Sequence, residues 1–551
     1  MVTLLIVFAL IIFTSVFLNK LSSKLGVPVL LLFLLAGFLL GWNYDISSDI
    51  GMSKIVEAVC TIALIFIMFY GGFGTRWASA KPVAVEAGLL ASVGVFLTAG
   101  LTGVFCHFAL GWTWVKSLLL GAVLSSTDAA SVFSILRTRR LGLKNNTAPM
   151  VEMESGSNDP CAYMVTVLML AVLNAVDPDS TTKVGAWFAI RTVFSQLVFG
   201  AACGILIAQG AAWLLKRFIN ASDGFGSLYI LAVAVAAYAI PAAIGGNGYL
   251  STYIVGIILG NTQFEGHKPL VAFFDGVTSL MQILIFFLLG MMADATKLPA
   301  AILPALAVFA FMLLIGRPAA VFSILSPFKK YKANQQAFIS FVGLRGASSI
   351  VFAIMTITSV LPGAKALLDS TGADIFSVVF CVVIISISVQ GTLIPFAAKK
   401  MNMIDEEANV MTTFSDFTEQ SEATFGRFEV TEGSPWAGRC TKQMTLPDGM
   451  VLVLLRRNGE TMVPKGHTVF EPGDEIIYCT FGYNTDTQMH LLRDVVEPNS
   501  RWLGKTIKEY PYKQGMVFVM IERNGKSIIP AADGSTQFCA GDVLYIYKQD
   551  I

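Results

Sequence analysis

Acidic and basic side chains interrupt the apolar stretches of this chain in four segments. They are Thr127-Asp128 within LSSTDAASVF, Glu152, Glu154 and Asp159 within VEMESGSNDPCAYM, and Arg317 and Arg345 within IGRPAA and VGLRGASS. An ionisable group in hydrocarbon costs several kcal/mol unless it is paired or hydrated, so each is by default a candidate for function. A buried structural pair could explain any one of them; recurrence in four separate segments is harder to explain that way. In the second stretch Ser155 and Asp159 are four apart and share one helical face, while Glu154 and Asn158 share the next. Pro160 has no N–H and disfavours helix at Asp159, which is expected to loosen the carbonyl of Gly156. A carboxylate, a hydroxyl and a loosened carbonyl suit a small hard cation, and all-oxygen ligation favours an alkali ion or a proton over a soft transition metal.

Two segments are built to bring these groups together. Thr127-Asp128 lies among Ser125, Ser126, Ala129 and Ala130, and the stretch Gly343 to Ser349 holds two glycines, so both tolerate unwound backbone. Broken helices contributed by two halves of a transporter commonly meet near the membrane midplane to form the substrate site. Arg317 and Arg345 are then partners for Glu154 and the loosened ends, holding the site rather than carrying ions. Glu57, Glu86, Arg191 and Asp275 can lie at helix ends and receive no role.

The positioning elements follow from hydropathy. Of 551 residues 55% are hydrophobic and 14% charged, with a mean hydropathy of +0.68, which excludes a wholly soluble protein. Apolar stretches long enough to cross roughly 30 Å of hydrocarbon start near Val2, Val27, Ile55, Val83, Ser117, Pro149, Val184, Gly226, Tyr249, Val271, Ala300, Gln335 and Asp374. The first is expected to be a transmembrane helix rather than a removed signal peptide, because no basic residue precedes it. With the N-terminus outside, the cytoplasmic loops hold 16 Lys and Arg, among them Arg139, Lys144, Lys329, Lys330 and Lys400. The opposite loops hold five: Lys54, Lys116, Lys183, Lys297 and Lys365. That bias puts the C-terminal tail in the cytoplasm. The short ninth segment matters most to this count, since losing it would invert every later helix.

Charge divides the chain as well. Residues 1–400 contain 24 Lys+Arg and 16 Asp+Glu, net +8; residues 401–551 contain 14 and 21, net −7. No basic stripe exists to neutralise phosphates, so nucleic acid is excluded as a partner. The expected organisation is a transmembrane domain over 1–400, a linker over 401–425, and two small modules over 426–490 and 491–551. The modules are an internal duplication. Trp436, Gly438, Gly449, Asn458, Gly459 and Pro464 recur 66 residues later as Trp502, Gly504, Gly515, Asn524, Gly525 and Pro530, and Gly473-Asp474 recurs as Gly541-Asp542. Asn-Gly between β-rich runs predicts a hairpin in each copy. The fold class is thus an all-α polytopic membrane domain of about thirteen helices with inverted repeats and broken helices, followed by a soluble α+β tail. The eight cysteines form no CxxC pair and read as free thiols.

The strings SSTDAASVFSILR, EMESGSNDP and GLRGAS resemble monovalent cation:proton antiporters of the NhaP type, in the cation:proton antiporter-1 group, over roughly residues 1–400. In that family the Asn-Asp pair, here Asn158-Asp159, marks electroneutral exchange. The resemblance implies Asp159 as the ion and proton carrier, surrounded by Asp128, Thr127 and Ser155. It further implies a supporting network of Glu154, Asn158 and Arg317 or Arg345, and a homodimer in the bacterial inner membrane. The tail, through EGSPWAGR and RRNGETMVPKGHTVFEPGDEIIYC with its second copy, resembles the TrkA-C (RCK-C) module of potassium-conductance regulators. Some such modules bind nucleotides or cyclic dinucleotides; a dimerisation module without ligand is the alternative. No cofactor is expected.

The function so read is antiport of K+, favoured because of the tail, or Na+, against H+. It would serve cation and pH homeostasis and be regulated by the tail. A potassium channel is disfavoured because no TVGYG-like filter occurs, the FGYN at Phe481 to Asn484 being in the tail. An intramembrane hydrolase is disfavoured because neither HExxH nor GxSxG occurs.

Overall fold

Backbone amides and carbonyls in hydrocarbon have no water to bond, so apolar stretches resolve into helices that satisfy those groups internally. The computed structural model describes residues 29–41, 50–139, 141–175, 185–217, 224–262, 264, 267–369, 373–405, 423–430, 434, 436–443, 450–457, 460–481, 490–496, 500, 503–509, 516–523, 526–528, 536–548. The predicted first segment lies outside them. The chain divides into two compact units, residues 1–419 and 420–551.

In the first unit each of the other twelve apolar stretches carries helix. They are α1 (Val29–Gly41), α2 (Ile50–Gly74), α3 (Trp77–Leu110), α4 (Trp114–Val123) with α5 (Ala129–Thr138), α6 (Thr147–Asn174), α7 (Ala186–Arg217) and α8 (Gly224–Ala243). Then come α9 (Gly248–Gly260), α10 (His267–Met292), α11 (Leu298–Leu325), α12 (Ala333–Phe341) with α13 (Ala347–Thr358), and α15 (Ile375–Lys400). A short helix, α14 (Pro362–Asp369), precedes α15. Eight of the described helices are long and apolar enough to cross a membrane. Large apolar side chains such as Trp187, Phe194, Leu206 and Phe225 face outward, as a lipid-facing surface requires.

Two expectations need correction. Pro160 does not end the helix: α6 runs unbroken from Thr147 to Asn174. Neighbouring helices hold a membrane helix together across a proline; here Asn247, which caps α9 through Leu250 N–H, donates from Nδ2 to the Pro160 carbonyl at 2.8 Å. Lys116, counted as a loop charge, is instead buried in α4 and donates to the carbonyls of Leu368 (2.5 Å) and Ala373 (2.7 Å).

The order long helix, broken helix, long helix occurs twice, as α3, α4/α5, α6 and as α11, α12/α13, α15. The two copies are cross-tied reciprocally. Lys116, third residue of α4, bonds the connection between α13 and α15. Gln335, third residue of α12, bonds the connection between α5 and α6, at the Asn145 carbonyl (3.1 Å) and Thr147 Oγ1 (3.0 Å). The end of each copy is likewise pinned to the other. Asn174 donates to the Ser359 carbonyl (2.8 Å) and accepts from Leu361 N–H (3.0 Å). After α15, Met403 accepts from Lys144 N–H (2.9 Å), where β1 (Gly142–Leu143) pairs antiparallel with β2 (Ile404–Asp405). An inverted repeat predicts this exchange of ties.

The second unit contains two four-stranded antiparallel sheets of the same topology. The first has the order β3 (Ala423–Glu429), β6 (Glu475–Phe481), β4 (Met450–Arg457), β5 (Glu460–Met462). The second has β7 (His490–Val495), β10 (Val543–Lys548), β8 (Met516–Arg523), β9 (Lys526–Ile528). The regular elements among the described residues are strands and two 3-10 turns, Thr441–Gln443 and Ile507–Glu509. The Asn-Gly turns lie outside those residues, but their flanks pair as a two-residue hairpin requires, Arg457 with Glu460 and Arg523 with Lys526. Each sheet buries equivalent residues: Val430, Leu455, Phe470 and Ile476 in one, Val496, Ile521, Phe538 and Leu544 in the other. Gly438 and Gly504, and Gly473 and Gly541, all take left-handed φ, which explains their recurrence.

Candidate functional site

The first broken helix stops at Leu124 because four residues with short polar side chains follow, and such side chains compete for backbone groups. Ser125 Oγ donates to the Ala122 carbonyl at 2.6 Å. Helix resumes where Asp128 caps α5, its carboxylate accepting from Ser131 N–H (3.1 Å) and Ser131 Oγ (2.6 Å). The second break, Val342 to Gly346, crosses the first at backbone distance: Asp128 N–H donates to the Leu344 carbonyl at 2.8 Å. A Cβ on Gly346 would lie 1.9 Å from Asp128 Oδ2, so no larger residue fits. Arg345 Nη1 donates to the Ser126 carbonyl at 2.6 Å, while its own N–H is held by Ser386 Oγ (3.1 Å) from the π-helical turn Ser386–Gly391 in α15.

The middle of α6 lies against this crossing, and four of its side chains divide the work. Ser155 Oγ accepts from Ala129 N–H (2.9 Å) and donates to the Thr127 carbonyl (2.7 Å). Asn158 grips Thr127 at both ends, donating from Nδ2 to Thr127 Oγ1 (2.6 Å) and accepting at Oδ1 from Thr127 N–H (3.4 Å). Glu154 forms a buried ion pair with Arg317, which follows the π-helical turn Met312–Gly316 in α11. Asp159, 4% exposed, accepts a hydrogen bond from Ser126 Oγ and faces the Ser348 hydroxyl at the start of α13.

Thr127, Ser155, Asn158 and Asp159 therefore converge on the crossing, with Ser126 and Ser348 as further hydroxyls beside the acid. Those two serines were visible only as small residues next to the breaks; that their hydroxyls turn to Asp159 depends on contacts 33 and 189 positions apart in sequence. Of the two arginines left open, Arg317 pairs with Glu154 and Arg345 serves the loosened end at Ser126. Asp128 is close to the site, and its carboxylate accepts the Ser131 hydrogen bonds that cap α5. Gly156 faces the Tyr253 ring of α9, where a Cβ would lie 2.5 Å from the ring. Its side of the helix is thus spent on packing.

A buried, hydroxyl-lined carboxylate at the crossing of two unwound segments can bind a proton or a desolvated monovalent cation, one at a time. Comparison with known proteins gives the same direction. Residues 7–400 match the family described as sodium/hydrogen exchanger, transmembrane, and residues 425–477 and 491–549 each match the TrkA-C domain. The chain is 34% identical over 479 residues to the K(+)/H(+) antiporter NhaP2 of Shewanella sp. (strain MR-4), covering 86% of this chain and 80% of that one. It is 31% identical over 469 residues to the K(+)/H(+) antiporter NhaP of Alkalimonas amylolytica (84% and 78%). A more distant relative is the Na(+)/H(+) antiporter ApNhaP of Aphanothece halophytica, 26% identical over 376 residues (65% and 67%). The fold matches that of the sodium proton antiporter MjNhaP1 from Methanocaldococcus jannaschii, with a TM-score of 0.61 at 21% identity over 73% of this chain and 98% of that one. A membrane domain of crossed broken helices, matched along almost its whole length, places the chain in the sodium/hydrogen exchanger family, as a multi-pass cation/proton antiporter with a duplicated TrkA-C tail.

Proposed function

We propose that the protein exchanges K+ for H+ one for one, with Asp159 as the shared carrier. The observation that carries this reading is that Asp159 stands beside a neutral amide, Asn158, while every other acid of the crossing is tied up, Glu154 by Arg317 and Asp128 by helix ends. One carboxylate can be neutralised by one proton or one cation, so the loaded site carries the same charge in both directions. Exchange is then electroneutral. The Asp159 carboxylate, the Thr127 carbonyl and the Ser155 hydroxyl are the proposed cation ligands, with Gly156 contributing at most its carbonyl. Potassium is favoured over sodium because the relatives matched over most of this chain carry K(+)/H(+) names while the sodium-named one is more distant.

The same reading puts the protein in a bacterial inner membrane as a homodimer, N-terminus outside and tail in the cytoplasm, where it serves cation and pH homeostasis. The tail regulates: it lacks an intramembrane oxygen site, and a regulator acts by interacting differently with two conformations of the transporter. A nucleotide or cyclic dinucleotide is the proposed regulatory ligand, with no other cofactor. The test of stoichiometry is a solid-supported-membrane recording on proteoliposomes alongside a pH-dye assay of exchange. Dye-reported K+/H+ exchange without a turnover-dependent current is expected; a current that reverses with the ion gradient would overturn electroneutrality.

A further inference from the structure

Among the described residues, the end of α15 carries a feature not found at its pseudo-symmetric counterpart, the end of α6. At the counterpart, α6 ends in a side-chain tie, Asn174 to Ser359 and Leu361. At the tail end, the chain leaving α15 adds a strand, β2, that pairs with β1: Gly142 opposes Asp405 and Leu143 opposes Ile404. Lys144 N–H donates to the Met403 carbonyl at 2.9 Å, Lys144 Nζ to Asn402 Oδ1 at 3.4 Å, and Asn334 Nδ2 to the Met401 carbonyl at 2.9 Å.

This clasp sits on the connection between α5 and α6, which joins the first break to the helix that carries Asp159. Upstream of β1 is α5, which begins at the Asp128 cap; downstream is α6, which carries Ser155, Asn158 and Asp159. Helix runs without interruption from Thr147 to Asp159, so a displacement of β1 is passed on rather than absorbed. Backbone strain is concentrated here too. Among the described residues, those other than glycine with left-handed φ are Asn145 (57°), Asn146 (54°) and Asn402 (55°), all within the clasp. Such residues persist where surrounding contacts over-determine them, and they cluster in elements with two arrangements.

We propose that the β1–β2 clasp is the element through which the tail controls the Asp159 site. The inference rests on the reading that the tail regulates. β2 begins at Ile404, four positions after α15 ends at Lys400, and pairs with β1, so force or reorientation arriving at Asp405 acts on β1 directly. The α5–α6 hairpin then shifts relative to the second break, which meets the start of α5 through the Asp128–Leu344 and Ser126–Arg345 bonds.

The test is a four-way comparison of K+/H+ exchange in proteoliposomes across pH. It uses the full chain and a chain ending at Asp405, each with and without Lys144→Pro, which removes the N–H donated to Met403. In the unsubstituted pair, the rate of the full chain divided by that of the shortened one measures tail control. Lys144→Pro should bring that ratio to one while exchange continues. A second variant keeps the question open to a clear answer if Lys144→Pro misfolds. Leu143→Cys with Ile404→Cys, at facing positions of an antiparallel pair, should oxidise to lock the clasp and also bring the ratio to one, with the single-cysteine parents unaffected by oxidant. An unchanged ratio in the oxidised pair or in Lys144→Pro would overturn the clasp while leaving tail regulation standing. A ratio of one in the unsubstituted pair at every pH would overturn tail regulation itself, and this inference with it.

Discussion

The two helix breaks have opposite chemistry, and each supplies what the other lacks. The first, Ser125 to Asp128, is polar and acidic; the second, Val342 to Gly346, is glycine-rich and basic. A broken helix leaves unsatisfied carbonyls at one new end and N–H groups at the other, with partial charges to match. Arg345 from the second break bonds the Ser126 carbonyl at the end of α4. Asp128 from the first caps α5 and lies against Gly346 and the Ala347 N–H at the start of α13. The charges at the breaks thus neutralise helix ends and one another. Asp159 is the acid left over, and that difference is why it is the proposed carrier.

This comparison can be broken deliberately. The largest effect should come from Glu154→Gln, which leaves Arg317 buried without its counter-charge. A loss of about 3–5 kcal/mol is expected for an orphaned buried ion, read as thermal unfolding of the purified protein. The double variant Glu154→Gln with Arg317→Gln should lose less than the single one. If it loses as much or more, the pair is not the support described here.

Gly346→Ala follows. Its Cβ would lie within 2.6 Å of Asp128 Cβ and Cγ as well as 1.9 Å from Oδ2, so the crossing must open. The expected cost is about 2–3 kcal/mol together with loss of exchange. Gly343→Ala should be milder, since the nearest atom is Arg317 Nε at 3.0 Å. Equal effects of the two would mean that the breaks do not cross as described.

The smallest effect on transport should come from the tail. Asp474, 1% exposed, is bonded by Arg457, and Asp542 by Arg523, in equivalent positions. Burial alone would raise each carboxyl, but the arginine fork and a backbone N–H outweigh it and hold both below the usual carboxylate range. A depressed carboxylate stabilises the folded state above its unfolded pKa, and that contribution is lost as pH falls through the folded value. Asp474→Asn should therefore lower tail stability by about 2 kcal/mol near neutral pH, the scale of lost hydrogen bonds to a charged group, with a difference from wild type that shrinks on acidification, as hydrogen exchange over β4–β6 can follow. Basal exchange should persist. A difference that grows on acidification would contradict the assigned sign.

Much of this was legible in the sequence because it is local. Hydropathy located the helices, runs of hydroxyl and glycine residues located both breaks, and the 66-residue repeat gave two modules whose strands and left-handed glycines correspond. What was not legible depends on packing. Whether Arg317 or Arg345 meets Glu154 is decided across 163 positions of sequence, and the burial of Lys116 by the short helix α14, whose Leu368 is 252 positions away. Pro160 misled because the local rule for proline assumes that a helix must satisfy itself, whereas in a bundle its neighbours contribute. The β1–β2 pair is two residues long on each side, too short for any periodicity.

The central claim is that one carboxylate carries both ions. Its most direct test is K+/H+ exchange by Asp159→Asn in proteoliposomes, with the purified variant's unfolding temperature and oligomeric state compared with those of the wild type. The account predicts a folded protein without coupled exchange at any pH. Coupled exchange surviving in Asp159→Asn would contradict it.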